Sequence, residues 1–320
     1  MTGGCTLCPR RCGADRRPLP QEGDAASLGF CGASSDLEVA SVVLHRGEEP
    51  PLNPIVNVFF AHCNLQCIYC QNHQISGKKV KSERYSVDQL ADQIVSHLSP
   101  LTSHHSPSLL GLVTAAHYAD RIPELLEAIH QRGFYPTVVY NSSGYESVDT
   151  LRSLEGLVDI YLPDFKYMDP DLARLYSHAP DYPEVATAAL QEMIRQVGGG
   201  LKVDDDGIAY RGLIVRHLVL PGHIDNSLHV LHHLAHLSPT HYPLFPSWPN
   251  TSPHGPASPP LSTAPSPKRN TPQSPTSTTS WASTAGSKNS NPKTTTAPTS
   301  PKQTPSKTTN YYLLTFIYQL

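Results

Sequence analysis

The sequence predicts an α/β fold built on a parallel sheet or barrel, and three observations carry that expectation. From Ile55 onward, short apolar runs alternate with amphipathic stretches. The runs have the length and β-branched content of buried strands, and the stretches between them repeat their apolar residues at helical spacing. The alternation continues to about residue 240, and strands joined by crossover helices bury such runs on both faces.

Five runs are expected as strands: Ile55–Phe60, Leu109–Ala115, Tyr135–Tyr140, Leu157–Leu162 and Leu213–Leu220. Ser86 is placed to cap a helix, because Val87, Leu90, Ala91, Ile94, Val95 and Leu98 follow it on one face. A second helix is expected from near Pro123 to Gly133, a third over Pro183–Val197 and a fourth over Asn226–Leu237. In the fourth, His229, His232, His233 and His236 read as the polar side of an amphipathic helix, with Leu228, Leu231, Leu234 and Leu237 opposite. Residues 1–40 read as a Cys-rich cap with many Pro, Gly and Arg, and 41–242 as the strand–helix body. Residues 243–320 hold 15 of the 31 Pro and no Asp or Glu; such a Pro/Ser/Thr-rich segment cannot bury enough apolar surface to order itself and reads as disordered.

The chain's 320 residues suffice for one sizeable domain plus extra segments. With 24 Lys and Arg against 27 Asp and Glu, the net charge of -3 gives no general basicity for holding nucleic acid. The start, MTGGCTLCPRRC, lacks the apolar core of a signal peptide, and no apolar run is long enough for a bilayer. A cytoplasmic protein without membrane or nucleic-acid partners is expected. The seven Cys are odd in number and closely spaced, which in a reducing compartment points to metal ligation rather than a disulfide frame.

In FFAHCNLQCIYCQN, Cys63, Cys67 and Cys70 form C-x3-C-x2-C directly after the first expected strand. Three thiolates at this spacing hold three irons of a [4Fe–4S] cubane and leave the fourth open to an external ligand. A structural zinc ion is the alternative, with His62 or His73 as its fourth ligand. Together with CTLCPRRCG, HRGEEPPL, VVYNSSGYE, VDIYLPDFKY, EMIRQVG and RGLIVRHLVLPG, the motif resembles the radical S-adenosylmethionine (SAM) superfamily. Over residues 5–242 the chain is similar to its pyruvate formate-lyase activating enzyme-like members.

The resemblance implies a partial (β/α)6 TIM-like barrel whose open iron chelates SAM. Reduction would cleave SAM to a 5′-deoxyadenosyl radical that abstracts hydrogen from a substrate. It further implies that Tyr69 shelters the adenine, that Asn72 lies near SAM, that Asn141 and Ser143 contact the ribose or amino-acid part, and that Lys166 faces the carboxylate. In place of the superfamily's Gly-Gly-Glu segment stands GLVTAAHY, where Thr114 or His117 is available. Reduced flavodoxin or ferredoxin is the implied electron donor, and a glycyl radical enzyme is the partner the family name suggests. Modification of a small molecule or another macromolecule is a second enzymatic reading, and a non-catalytic zinc- or cluster-binding protein is the alternative from another class.

Cys5, Cys8, Cys12 and Cys31 form a second group, C-x2-C-x3-C-x18-C, sufficient for a zinc ion or a second cluster. The resemblance ends near Pro243, where a sixth strand is due and is expected to be missing. Read from the third base of the Leu244 codon, permitted codons for LFPSWPNT allow L-S-L-M-A-Q-Y, which is similar to the family's sixth strand. The same shift in two later windows also restores family-like segments. Residues 243–320 therefore read as an out-of-frame translation, with a natural linker as the alternative. The gene's nucleotides decide: an open shifted frame is expected, and an early stop codon in it overturns the reading.

Overall fold

In the computed structural model, which describes residues 4–16, 29–47, 49–78, 80–101, 108–237 and 244–247, the largely apolar run at Ile55 becomes a central strand. Its predecessor, β1 (Leu37–His45), pairs antiparallel with β2 (Ile55–Phe60), and β1 also pairs antiparallel with β3 (Glu83–Tyr85), which follows the short helix α1 (His73–Ser76). Helix α2 (Val87–Leu98) leads to β4 (Leu109–Val113), α3 (Ile122–Gln131) to β5 (Thr137–Ser142), and α4 (Val148–Ser153) to β6 (Ile160–Pro163). Two helices, α5 (Pro170–Ser177) and α6 (Tyr182–Val197), precede the hairpin of β7 (Leu201–Val203) and β8 (Ala209–Leu213). After β9 (Val215–Leu218) come α7 (Ile224–Leu237) and β10 (Leu244–Ser247).

The main sheet has the order β3-β1-β2-β4-β5-β6-β8-β7, with β2, β4, β5, β6 and β8 mutually parallel. A parallel bridge between Asp164 and Arg216 continues the sheet from β6 to β9. Among the described residues no pairing joins the two ends, so the sheet is open. Strand alternation gives it two apolar faces. Val58, Phe60, Leu110, Leu112, Val138 and Tyr140 join the larger core with α2 and α3, while Ile55, Leu109, Val139, Ile160 and Leu162 form a smaller cluster on the inner face. Gly111 leaves room on that face for the buried Asn57 amide, since a Cβ would lie 1.9 Å from Asn57 Oδ1.

The five expected strands are present, the first with its ends unchanged and the other four shifted. The second stops at Val113 because Thr114 turns left-handed (φ 61°), and the third starts at Thr137 because Tyr135 is exposed and stacks on His130. Strands β1, β3, β7 and β8 and helices α1, α4 and α5 add to the expected set, and β1 runs across the expected boundary at residue 40. The absence expected for a sixth strand is corrected by β10, which pairs parallel with β9 from Leu244–Val215 to Ser247–Leu218. The open edge of β9 offers backbone groups that four extended residues satisfy. Residues 248–320 lie outside the described residues, so the expected disorder there is not tested.

In α7, His229, His232 and His236 are exposed as expected, but His233 turns inward to bond Thr187 at 2.9 Å. Leu228 is exposed instead of inward, because Asn226, Ser227, Val230 and Leu234 form the buried stripe. No described helix is long and apolar enough to cross a membrane.

Ser86 caps α2 as expected: its side chain accepts from the Gln89 amide, and Gln89 returns a bond to the Ser86 amide. Replacing it with Ala removes one side of this box and is expected to lower stability by about 1 kcal/mol, read as a lower urea midpoint at unchanged m-value.

Candidate functional site

Parallel pairing brings the C-terminal ends of the strands to one rim, and backbone bonds carry the ladder slightly past them. The Thr114 amide donates to Asn141 O at 2.9 Å, Asp164 N to Ser142 O at 2.9 Å and Phe165 N to Arg216 O at 2.7 Å. Alternation then directs Phe59, Val113, Asn141 and Asp164 into a cavity of about 480 Å³ on the inner side. Two non-glycine residues at this rim, His62 (φ 72°) and Thr114 (φ 61°), hold left-handed backbone, a conformation retained only where the surroundings enforce it.

The loop after β2 brings all three thiols of the C-x3-C-x2-C motif to this cavity. Each thiol has one hydrogen-bond donor from a different place: the Leu65 amide on Cys63 at 3.3 Å, the Ser177 hydroxyl on Cys67 at 2.9 Å and the Ser76 hydroxyl on Cys70 at 3.4 Å. Burial pushes the Cys63 and Cys67 thiols up, and Lys166 opposes this at both. The loop's backbone is tied to the end of α5, where the Ile68 amide donates to Tyr176 O at 3.0 Å.

Tyr69, Asn72, Asn141, Ser143 and Lys166 line the same cavity. Tyr69 is buried, and its hydroxyl bonds Tyr167. Asn72 is exposed at the start of α1, where its carbonyl accepts from the Ile75 amide at 3.0 Å. Ser143 occupies the turn after β5, with its carbonyl accepting from Tyr182 OH at 2.8 Å. The turn requires Gly144 (φ 77°), since a Cβ there would lie 2.2 Å from Asp164 O. Lys166 pairs with Asp164 at 2.5 Å; burial alone would depress its pKa, but the Asp164 carboxylate and Cys67 hold it above the usual lysine value. The cation is therefore kept charged beside the thiols.

Of the two residues considered in place of Gly-Gly-Glu, Thr114 lines the cavity and His117 does not. His117 is buried with Nε2 bonded to Ala61 O at 2.7 Å and Nδ1 without a partner, and burial lowers its pKa to about 3.

Two residues given no site role from the sequence support the cavity, Arg216 in its lining and Asn226 behind it. Arg216 forms a two-pronged ion pair with the buried Glu49 at 2.6 and 2.8 Å. Asn226 accepts from the Met168 and Asp169 amides and donates to Lys166 O at 3.0 Å, pinning the loop that carries Lys166.

Neither His62 nor His73 completes the thiol triad: His62 bonds Gly77 O through Nδ1 and faces Glu38 through Nε2 at 3.4 Å, while exposed His73 bonds Cys70 O. Among the described residues no three His, Cys, Asp or Glu side chains converge on a single metal ion. A cubane makes a different demand, with each thiolate on a separate iron, and three thiols around one partly polar cavity beside a cation fit it.

The N-terminal thiols are gathered as well. Cys8 and Cys31 are buried, Cys5 is half-buried and Cys12 exposed. The Cys31 and Cys5 thiols oppose ionisation of Cys8, and Cys5 and Cys12 oppose that of Cys31. Burial pushes Cys8 to about 12. This segment holds the motif loop through Arg10, which donates to Asn64 O at 3.0 Å, Ser177 O at 3.2 Å and His178 O, with its guanidinium 3.8 Å from the Phe30 ring centre.

No family model matches the chain. An uncharacterized protein of Methanocaldococcus jannaschii, MJ0674, is 27% identical over 235 residues, which span 69% of this chain and 58% of that relative. Among solved structures, native anSMEcpe with bound AdoMet is similar at a TM-score of 0.40 and 10% identity, over 58% of this chain and 49% of that one. The cobalamin-dependent S-adenosylmethionine radical enzyme OxsB, with aqua-cobalamin and S-adenosylmethionine bound, gives 0.36 and 15% over 54% and 25%. At scores this low, the reading of the site rests on its own geometry.

Next to the cavity, the buried Glu146 accepts from Ser142 at 2.5 Å and from Tyr140 at 3.4 Å. Burial raises its pKa from 4.5 to about 7 against these two bonds. The folded chain therefore keeps a proton that the unfolded chain has lost between those values, and this stabilisation is full below 4.5 and lost as pH rises to about 7. The size is on the order of 3 kcal/mol at most. Glu146→Gln is expected to flatten the fall in stability across that window, measured by urea denaturation at pH values on either side.

Proposed function

We propose that the chain is a radical SAM enzyme, with Cys63, Cys67 and Cys70 as ligands of a [4Fe–4S] cluster and the adjoining cavity as the seat of SAM. The observation that carries the reading is the meeting of three thiols from one loop with Asn141, Ser143 and Lys166 from two other strand ends around a single cavity. When bound and reduced, the cluster supplies one-electron cleavage of SAM, leading to hydrogen abstraction from a substrate.

The protein's part is binding, orientation and exclusion of water. Lys166, kept charged by Asp164, is suited to a carboxylate. Asn141 and Ser143 offer polar groups for the ribose or amino-acid portion, Asn72 for the part nearest α1, and Tyr69 an aromatic wall. Phe59, Val113 and Leu218 limit water on the remaining sides. Reduced flavodoxin or ferredoxin is the proposed electron donor, and activation of a glycyl radical enzyme is the proposed use of the radical.

The test is anaerobic reconstitution with iron and sulfide, then SAM and a strong reductant, with 5′-deoxyadenosine quantified beside a Cys67→Ala control. Product is expected from the natural chain and none above background from the variant. A natural chain that takes up no cluster overturns the reading.

A further inference from the structure

Cys67 has the shortest hydrogen bond of the three motif thiols, and its donor lies 110 residues away in sequence. Ser177 is the last residue of α5 and fully buried, and its Oγ lies 2.9 Å from Cys67 Sγ. Tyr167 OH is 2.7 Å from the same Oγ, and Tyr69 OH bonds Tyr167 OH in turn. Both tyrosines are buried.

A thiolate ligand has no proton to give, and this fixes the direction of the whole series. Ser177 donates to Cys67, Tyr167 then donates to Ser177, and Tyr69 donates to Tyr167. Aligned in this way, each hydroxyl polarises the next and strengthens the bond that ends on sulfur. The series begins and ends inside the motif, since Tyr69 and Cys67 belong to the same loop. Its middle is held in place by Arg10, which grips the carbonyls of Ser177 and His178.

We propose that Ser177, oriented by Tyr167 and Tyr69, is a positioning residue that raises the reduction potential of the cluster, an inference that rests on the cluster reading above. Reduction adds one negative charge, part of which resides on the ligand sulfurs. A hydrogen bond to sulfur stabilises the reduced state more than the oxidised one, so its removal makes the cluster harder to reduce.

The experiment is to reconstitute the natural chain, Ser177→Ala and Tyr167→Phe anaerobically, measure iron and sulfide per chain, and titrate each reductively by the electron paramagnetic resonance signal of the reduced cluster. Ser177→Ala is expected to keep its iron and sulfide while its reduction equilibrium falls about tenfold, equivalent to 59 mV for one electron. Tyr167→Phe, which retains the serine, is expected to shift in the same direction by less, and Ser177→Thr to restore the natural potential. Natural potentials in both Ser177→Ala and Tyr167→Phe overturn the inference and leave the functional reading standing. Should Ser177→Ala take up no cluster, Tyr167→Phe decides: a lowered potential supports the inference and a natural one overturns it. A natural chain without a cluster overturns both.

Discussion

The parallel pairing of β2 with β4, β5 and β6 is the constraint on which the site depends. Parallel strands all end in the same direction, so this pairing gathers Phe59, Val113, Asn141 and Asp164 at one edge from positions spread over about a hundred residues of chain. Their direction follows from the two-residue period: each lies on the face of Ile55, Leu109, Val139 and Ile160, which are apolar and pack together. The inner cluster thus supports the base of the cavity. Apart from the buried Asn57, the polar residues of this face gather where the strands run out.

Loops at such a rim are held by contacts rather than by their own propensity, and here the contacts come from distant elements. The Cys loop leans on the end of α5 through Ile68 and Tyr176, the Lys166 loop on α7 through Asn226, and the loop after β1 on β9 through Glu49 and Arg216. Each fastening satisfies backbone or charged groups that would otherwise be buried without partners. The left-handed backbone of His62 and Thr114 is held in this setting.

What could be read from the sequence follows the range of each signal. Ile55–Phe60 was legible because every strand residue but one is apolar, and the Cys triad because its thiols lie within eight residues of one another. Ser86 announced its helix because an N-cap followed by a helical apolar stripe is a local signal. Leu37–His45 was not legible: only its first three residues are buried, the rest lie along a partly exposed antiparallel edge, and Cys-rich loops adjoin it. Ser177, Asn226 and Arg216 carry no local signature, since an ordinary serine, asparagine or arginine gains its role from the partner that folding brings to it. His117 and Leu228 illustrate the converse, where the residue type suggested one direction and packing chose another.

Arg10 also has a meaning in time. It links carbonyls at residues 64, 177 and 178, so this fastening of the thiol loop cannot close until α5 has formed and docked. Contacts across such separations are slow to form, because the intervening chain must be ordered first. The geometry of the thiol loop is thereby coupled to the docking of a helix more than a hundred residues away.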